Sequence, residues 1–391
     1  MTTTEISSAV RARWLAVTTV AVGTFTVVTS EMLPVGLLTS MARDLHVSTG
    51  TAGLAMTAPG LVASVAAPVL VFGMRGIDRR LILMGLMALL GVANLAAAAA
   101  PGHAVMLAAR VLTGVSIGGF WAFAAPLGAR LVPERSVGRA TSIIMSGVSV
   151  ASVLGVPAAT FVSSFAGWRS AFVAAGVLAL VLLALLAATL PPLRDEADAS
   201  GSAAREQRLA WLSGPLVLVL VLTALTVSGH FAAYTYVRPF LEQVAHAGAA
   251  FVGTALLLYG VTGVVGNFAS GARASRNPKS TFIALVVLMS AAMLALVLTG
   301  VPPLAALLVW GLGYGGIGVA LQLWLLRAGG GEQGTALYVC LFNLSIALGS
   351  FAGGRITDAV SVPAVMWTGA ALTAVSAAVA GIWGRSRTTG S

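Results

Sequence analysis

The hydrophobic positions of this chain are gathered in long runs, and polar residues are confined to short segments between them. Most runs hold about 20 or more apolar residues, the length an α-helix needs to cross the hydrocarbon core of a bilayer. The pattern therefore predicts an all-α polytopic membrane protein with twelve transmembrane helices. Their approximate bounds are 14–39, 48–72, 81–100, 104–128, 140–163, 170–190, 213–241, 248–272, 280–300, 303–326, 334–354 and 362–383.

The composition agrees with this pattern. Of the 391 residues, 58% are hydrophobic and only 9% are charged, and the mean hydropathy is +0.97. Soluble globular domains carry about 25% charged residues, so the composition excludes that class.

The net charge of +10 is distributed unevenly between the two sides of the predicted membrane. The outer side holds only Arg43, Arg169 and Arg355, and Arg110 and Arg238 lie inside apolar runs. The other basic residues face the cytoplasm if the N-terminus does, which is the positive-inside pattern. We therefore expect a monomeric, multi-pass plasma-membrane protein with both termini cytoplasmic, whose partner is the lipid bilayer and not nucleic acid.

One longer polar segment divides the runs into two sets of six. The stretch 191–213 is rich in small and charged residues, which is typical of a linker. We predict an N-terminal six-helix bundle (1–190), a cytoplasmic linker (191–213) and a C-terminal six-helix bundle (214–391).

Glu31 interrupts the first apolar run, where a charged side chain is costly and usually functional. Pro34, one turn later, frees backbone groups beside it. With run ends at Thr39 and Ala104, Glu31 lies about 12 Å and Arg110 about 9 Å from the outer surface, at 1.5 Å per residue. The two charges are therefore a candidate pair for proton coupling. The alternative is an acid satisfied by a neighbouring helix without a transport role.

Further candidates could line a substrate site. His230 lies near the middle of the seventh run, with Tyr234 one turn later and Asn343 in the eleventh. Phe25 and Trp121 could contact a planar or partly apolar ligand. The alternatives are a histidine hydrogen-bonded within the bundle and aromatic rings that serve only packing.

Sequence motifs of enzymes are missing. The chain has no G-x-x-x-x-G-K-[ST] loop for ATP, no HExxH or cysteine pair for a metal, and no G-x-S-x-G nucleophile. We therefore expect no enzyme activity, no cofactor and no metal site.

Several segments together resemble one family. TSEMLPVGLLTSMARDLHVS (29–48) and ARVLTGVSIGGFWAFAAPLGARLVPERSVGRA (109–140) are similar to the first helix and to the fourth helix with its following loop in one transporter group. VLGVPAA with GWRSAF, GHFAAYTYVRPFL and LFNLSIALGSFAGGRITD resemble its fifth, seventh and eleventh helices. The group is the twelve-span drug:proton antiporter branch of the major facilitator superfamily, with its sugar-efflux and purine-ribonucleoside-efflux transporters.

The resemblance implies two six-helix halves, alternating access, and export of a small molecule in exchange for protons. The small polar solute would be a purine nucleoside or a sugar. Antibiotics of the chloramphenicol type are the alternative cargo, and a non-transporting membrane receptor is the alternative of another class. Arg110 and Gly114 match the fourth-helix motif, whose arginine is tied to proton coupling. The gating loop departs from G-x-x-x-D-R-x-G-R-R, because Arg75 takes the Asp position and Asp78 a Gly position before Arg79 and Arg80.

Overall fold

A computed structural model describes residues 3–74, 76–124, 127–193, 214–298 and 301–384 of the chain. These residues form fifteen α-helices and one short 3-10 turn. Within them, twelve helical stretches are long and apolar enough to cross a membrane. The predicted all-α polytopic fold is confirmed.

The described chain divides into two compact units. The first takes in the described residues of Met1–Val47 and Ala58–Ala199, and the second those of Ser48–Thr57 and Ser200–Ser391. Helix α3 (Leu54–Gly73) begins in the second unit and continues in the first. The other helices of the first unit are α1 (Thr3–Asp44), α4 (Arg79–Ala98), α5 (His103–Ala124), α6 (Leu127–Leu131), α7 (Val137–Ala166) and α8 (Trp168–Thr189), with the 3-10 turn at Glu134–Ser136.

The second unit contains the short helix α2 (Thr49–Ala52) and seven further helices. These are α9 (Gly214–Tyr234), α10 (Val237–Gln243), α11 (Ala249–Ala274), α12 (Pro278–Val297), α13 (Pro303–Arg327), α14 (Gly331–Ala359) and α15 (Val362–Trp383). Most of the predicted linker, residues 194–213, lies outside the described residues.

Helix α1 is longer than its apolar run predicts. It continues to Asp44 instead of ending near Thr39, because Met41 and Ala42 are buried and extend the packed face of the helix. Asp44 then accepts hydrogen bonds from Trp168 Nε1 (2.9 Å) and Arg169 Nη1 (3.1 Å). Glu31 therefore lies thirteen residues, or about 20 Å, from the C-terminal end of its helix. The end of the apolar run at Thr39 is not the end of the helix, and the depth of Glu31 below the membrane surface stays a prediction.

The two units repeat one order of helix packing. In the first, α1 packs on α7 and α4 packs on α5 and α8; in the second, α9 packs on α14 and α12 packs on α13 and α15. The fourth span of the first unit, α5, thus corresponds to α13 of the second. The same neighbour relations therefore recur in each unit.

Glycines allow several of these helices to touch through their backbones. A Cβ at Gly114 would lie 2.7 Å from the Pro59 carbonyl oxygen, and one at Gly118 would lie 2.6 Å from that of Ala63. Gly349 and Gly353 of α14 approach the Ser228 and Ala232 carbonyls of α9 even more closely. The GxxxG pairs in the sequence therefore mark true helix contacts.

The segment 48–53, which belongs to the second unit, is fastened to α14 of the same unit. Ser48 caps α2, and its Oγ donates a 2.6 Å hydrogen bond to Asp358 Oδ2. The Gly50 amide donates to the other carboxylate oxygen of Asp358 at 2.9 Å. Gly50 and Gly53 leave no room for a side chain, because the Gly354 carbonyl and the Tyr236 hydroxyl occupy that space.

Candidate functional site

A proline in the middle of α1 creates the first candidate site. Pro34 has no N–H, so the carbonyl of Ser30, four residues earlier, loses its helical hydrogen-bond donor. Arg110 of α5 replaces it, since Nη1 donates to Ser30 O at 2.8 Å and Nη2 donates to Glu31 O at 2.9 Å. Arg110 is fully buried. The guanidinium is thereby fixed to the backbone of α1 at the proline.

Glu31 lies at the same point of the helix with a buried side chain, 6% exposed. Its Oε1 atom has no hydrogen-bond partner among the described residues. The structure thus brings Glu31 and Arg110 together, as the sequence predicts, but the hydrogen bonds described above join Arg110 to carbonyl oxygens of α1. An ionised carboxylate at this depth is costly unless it is paired, so the nearby guanidinium charge is its main compensation.

Asn94 of α4 completes this polar cluster, which consists of Ser30, Glu31, Asn94 and Arg110. Its Nδ2 donates to Ser30 Oγ at 3.1 Å and to Leu90 O at 2.9 Å. Asn94 Oδ1 is buried without a hydrogen-bond partner among the described residues. The cluster therefore holds two buried oxygens, on Glu31 and Asn94, that remain available to bind a proton donor.

The second candidate site is an aromatic cluster in the second unit. It consists of His230, Phe231 and Tyr234 of α9, Tyr259 of α11, and Trp310 and Tyr314 of α13. The Tyr314 ring stacks on His230 with centroids 3.5 Å apart and planes 3° apart. Tyr234 stacks on His230 at 5.0 Å and on Tyr259 at 4.9 Å. The edge of Trp310 meets His230, Tyr234 and Tyr259 at 5.5, 5.9 and 5.9 Å.

One hydrogen bond fixes the protonation pattern of His230. Trp310 Nε1 can only donate, and it lies 3.2 Å from His230 Nδ1, which must therefore accept. A neutral ring with an accepting Nδ1 carries its proton on Nε2. Both His230 Nε2 and the Tyr259 hydroxyl are buried without a hydrogen-bond partner among the described residues. A buried polar group left unpaired costs about 1–3 kcal/mol, so two of them in one cluster make it a candidate ligand site.

Backbone contact between α11 and α13 brings these rings together. A Cβ at Gly311 would collide with the Tyr259 carbonyl, and one at Gly315 would collide with the Gly263 carbonyl. Because both positions are glycine, α13 lies against α11, and Trp310 lies at the edge of Tyr259. This close approach is the local reason that the cluster forms.

A sequence profile described as Major Facilitator Superfamily matches residues 20–337. The chain belongs to the Major Facilitator Superfamily. It is therefore a multi-pass membrane transporter and not an enzyme, as predicted from the sequence.

Two relatives and one solved structure illustrate this membership. Transcription regulatory protein OpdE of Pseudomonas aeruginosa is 35% identical over 96% of this chain and 94% of its own length. The purine ribonucleoside efflux pump NepI of Escherichia coli K12 is 30% identical over 89% of this chain and 88% of its own. A crystal structure of a mutant of the nucleoside transporter NupG has a TM-score of 0.75 at 12% identity, covering 94% of this chain and 99% of that one. It shows that the fold is that of this superfamily.

The other predicted substrate-site residues, Phe25, Trp121 and Asn343, are not members of either cluster. Phe25 and Trp121 are half-buried in the first unit, and among the described residues no ring contact joins them. Trp121 packs on the edge of a hydrophobic core that includes Phe120. Asn343 uses its Nδ2 to bond the Val339 carbonyl of its own helix at 2.9 Å. These three remain predictions.

The gating loop has a structural role at the residues that can be described. Asp78 caps α4, and its Oδ1 accepts from the Arg80 amide and from the Leu193 amide, both at 2.9 Å. The Arg80 side chain donates to the Ala187 carbonyl, and the Arg79 amide donates to the Leu193 carbonyl. Arg75 lies outside the described residues. The loop is thereby tied to the end of the sixth span, and its predicted gating role stays a prediction.

Sequence reasoning missed Asn94, Tyr259, Trp310 and Tyr314. Asn94 carried a usable signal, because it is an amide in the middle of an otherwise apolar run. Polar side chains at that depth usually make contacts between helices. The three aromatic residues carried no comparable signal, because rings in membrane helices are common and their partners lie on other spans.

Proposed function

We propose that this transporter is a proton-coupled exporter that moves a small polar solute out of the cell in exchange for protons, by alternating access of two six-helix halves. The observation that carries the proposal is Glu31, a buried acid whose Oε1 is unpaired, placed beside a fully buried Arg110. Acids inside transmembrane helices commonly take part in proton relays.

Fixing of Arg110 by carbonyl oxygens supports this role. Its two hydrogen bonds do not depend on the charge of Glu31, so the guanidinium stays in place whether or not that carboxyl carries a proton. Protonation of Glu31 then removes the electrostatic attraction between its carboxylate and the Arg110 guanidinium. Coupling requires that the proton bind the two access states with different affinity, and such a charge pair provides this if its surroundings differ between the states.

For the solute we propose a purine nucleoside or a sugar. The name of NepI, a purine ribonucleoside efflux pump, supports the nucleoside. Export of a chloramphenicol-type antibiotic is the second candidate, favoured by the aromatic cluster, which suits an apolar ring as well.

Proteoliposomes that enclose a pH-sensitive dye test these proposals. Added inosine, arabinose or chloramphenicol should enter as protons leave, so the substrate among them should make the lumen more alkaline. Glu31→Gln should abolish this change but keep exchange of labelled for unlabelled solute, because the isosteric amide cannot exchange a proton. Glu134→Gln is the matched control, since Glu134 is exposed in a loop.

Two results would contradict the proposal. A Glu31→Gln protein that still concentrates solute under a pH difference removes Glu31 from proton coupling. A native protein that moves neither protons nor any solute across a broad panel contradicts proton-coupled export.

A further inference from the structure

We infer that the aromatic cluster of the second unit is the subsite for a neutral, planar heteroaromatic ring, which accepts a hydrogen bond from His230 Nε2–H and pairs with the Tyr259 hydroxyl. The inference rests on the proposed export of a small solute and deepens it, because it assigns the ring-recognising residues and the chemistry that they select.

The hydrogen-bonding groups of the cluster define what the ligand must offer. His230 Nδ1 accepts a hydrogen bond from Trp310 Nε1, so the ring proton lies on Nε2, which can donate to a ligand. The Tyr259 hydroxyl can donate or accept. A ligand that satisfies both therefore needs at least one acceptor, such as a ring nitrogen or a carbonyl oxygen, and a second polar atom nearby.

The rings define its shape. Tyr314, His230, Tyr234 and Tyr259 form successive stacked pairs, with planes between 3° and 25° apart. Aromatic faces favour a further planar ring in offset stacking. A solute without an aromatic ring, such as a sugar, presents no flat π surface, so it gains less from these faces.

The absence of charge within the cluster favours a neutral ligand. His230 is neutral when its Nδ1 accepts, and the other five members are uncharged aromatic residues. An aromatic cage could also attract a cation. The buried Nε2–H, however, would present its positive end to a bound cation and would repel it.

Tyr314 is the side chain that controls access. It is half-buried, whereas His230 is fully buried and Tyr234 and Tyr259 are almost so. Its ring covers one face of His230 at 3.5 Å, so movement of Tyr314 would open the cluster on its half-buried side. The Nε2–H bond lies in the plane of the imidazole, so a ligand that accepts from it lies at the ring edge and can stack on a neighbouring tyrosine.

Equilibrium binding to the purified full-length protein in lipid nanodiscs tests this subsite. The probes are inosine, ribose and benzyltrimethylammonium. We expect the native protein to bind inosine at least about tenfold more tightly than either of the others. Tyr259→Phe keeps the ring and removes the hydroxyl, so it should weaken inosine binding about tenfold, the loss expected for one buried hydrogen bond. His230→Gln should weaken it at least as much.

Tyr338→Phe is the matched control, because Tyr338 is a buried tyrosine on α14 outside the cluster; it should leave binding unchanged. Any one of four results overturns the inference. They are equal effects of Tyr259→Phe and Tyr338→Phe on inosine binding, equal affinity for ribose and inosine, tighter binding of the ammonium ion than of inosine, and no binding of inosine. Inosine binding with the expected variant effects, but without proton movement in proteoliposomes, would uphold the subsite and refute the proposed export. If His230→Gln does not fold, the Tyr259→Phe comparison decides alone.

Discussion

The contact between Arg110 and the helix carbonyls at Pro34 makes a quantitative prediction. Arg110→Gln removes donors to two buried carbonyl oxygens, at 2.8 and 2.9 Å. Hydrogen bonds within membrane proteins contribute about 0.6 kcal/mol on average and up to about 1.7. Charge-assisted bonds lie at the upper end. We therefore expect a loss of about 2–4 kcal/mol in the free energy of unfolding.

Pro34→Ala changes the outcome in a defined way. Alanine restores an amide N–H that can bond the Ser30 carbonyl within α1, so one of the two bonds of Arg110 becomes dispensable. In the Pro34→Ala background, Arg110→Gln should therefore cost about 1 kcal/mol less than in the native protein. The double-mutant cycle isolates this coupling because the two single changes share that carbonyl.

Reversible unfolding in mixed detergent micelles, followed by circular dichroism, measures all four proteins of the cycle. A parallel cycle of Arg110→Gln with Glu31→Gln is the comparison. If the effects of Pro34→Ala and Arg110→Gln add within about 0.5 kcal/mol, the argument about the freed carbonyl is refuted. The same holds if Arg110 couples to Glu31 and not to Pro34, since its main partner would then be the carboxylate.

Two further predictions concern helix packing. Gly315→Ala forces a methyl group against the Gly263 carbonyl and should destabilise the protein by about 1–3 kcal/mol. Gly318→Ala is the control, because open space surrounds Gly318. Thermal unfolding compares the two variants, and equal melting temperatures would contradict the close approach of α11 and α13. Asp358→Ala removes the acceptor of the Ser48 and Gly50 hydrogen bonds and should loosen this segment. A Thr51→Cys variant should then react with a water-soluble maleimide at least several-fold faster than the same variant with Asp358 intact. Glu134→Ala is its control, and unchanged labelling with Asp358→Ala would show that the carboxylate does not hold this segment.

The fold was accessible from the sequence because membrane helices follow a strong rule. Backbone groups in lipid must bond within their own helix, so long apolar runs map directly onto spans. The end of α1 was missed for a related reason. Residues 40–44 are not uniformly apolar, yet Met41 and Ala42 pack inside the protein and Asp44 bonds to Trp168 and Arg169. Hydropathy records affinity for lipid and not packing against a neighbouring helix.

The candidate sites were accessible only in part. Glu31 and Arg110 were found because charge in an apolar run is rare, and they were predicted to pair because both lie at similar distances from the ends of their apolar runs. The hydrogen bond from Arg110 to the Ser30 carbonyl could also have been expected, because Pro34 leaves that carbonyl without its helical donor. The rings around His230 could not, since depth does not show which face of α11 or α13 turns towards α9.

The two units place a side-chain donor at the same point of their repeated architecture. Arg110 is the eighth residue of α5 and Trp310 the eighth of α13, and each donates to the first helix of its own unit, at Ser30 and at His230. One scaffold position thus carries a cation in one half and an indole in the other. No side chain of the polar cluster belongs to the aromatic cluster. If the aromatic cluster binds the solute as proposed, substitutions in the second half can alter the range of cargo during evolution while the charged residues of the first half remain as they are.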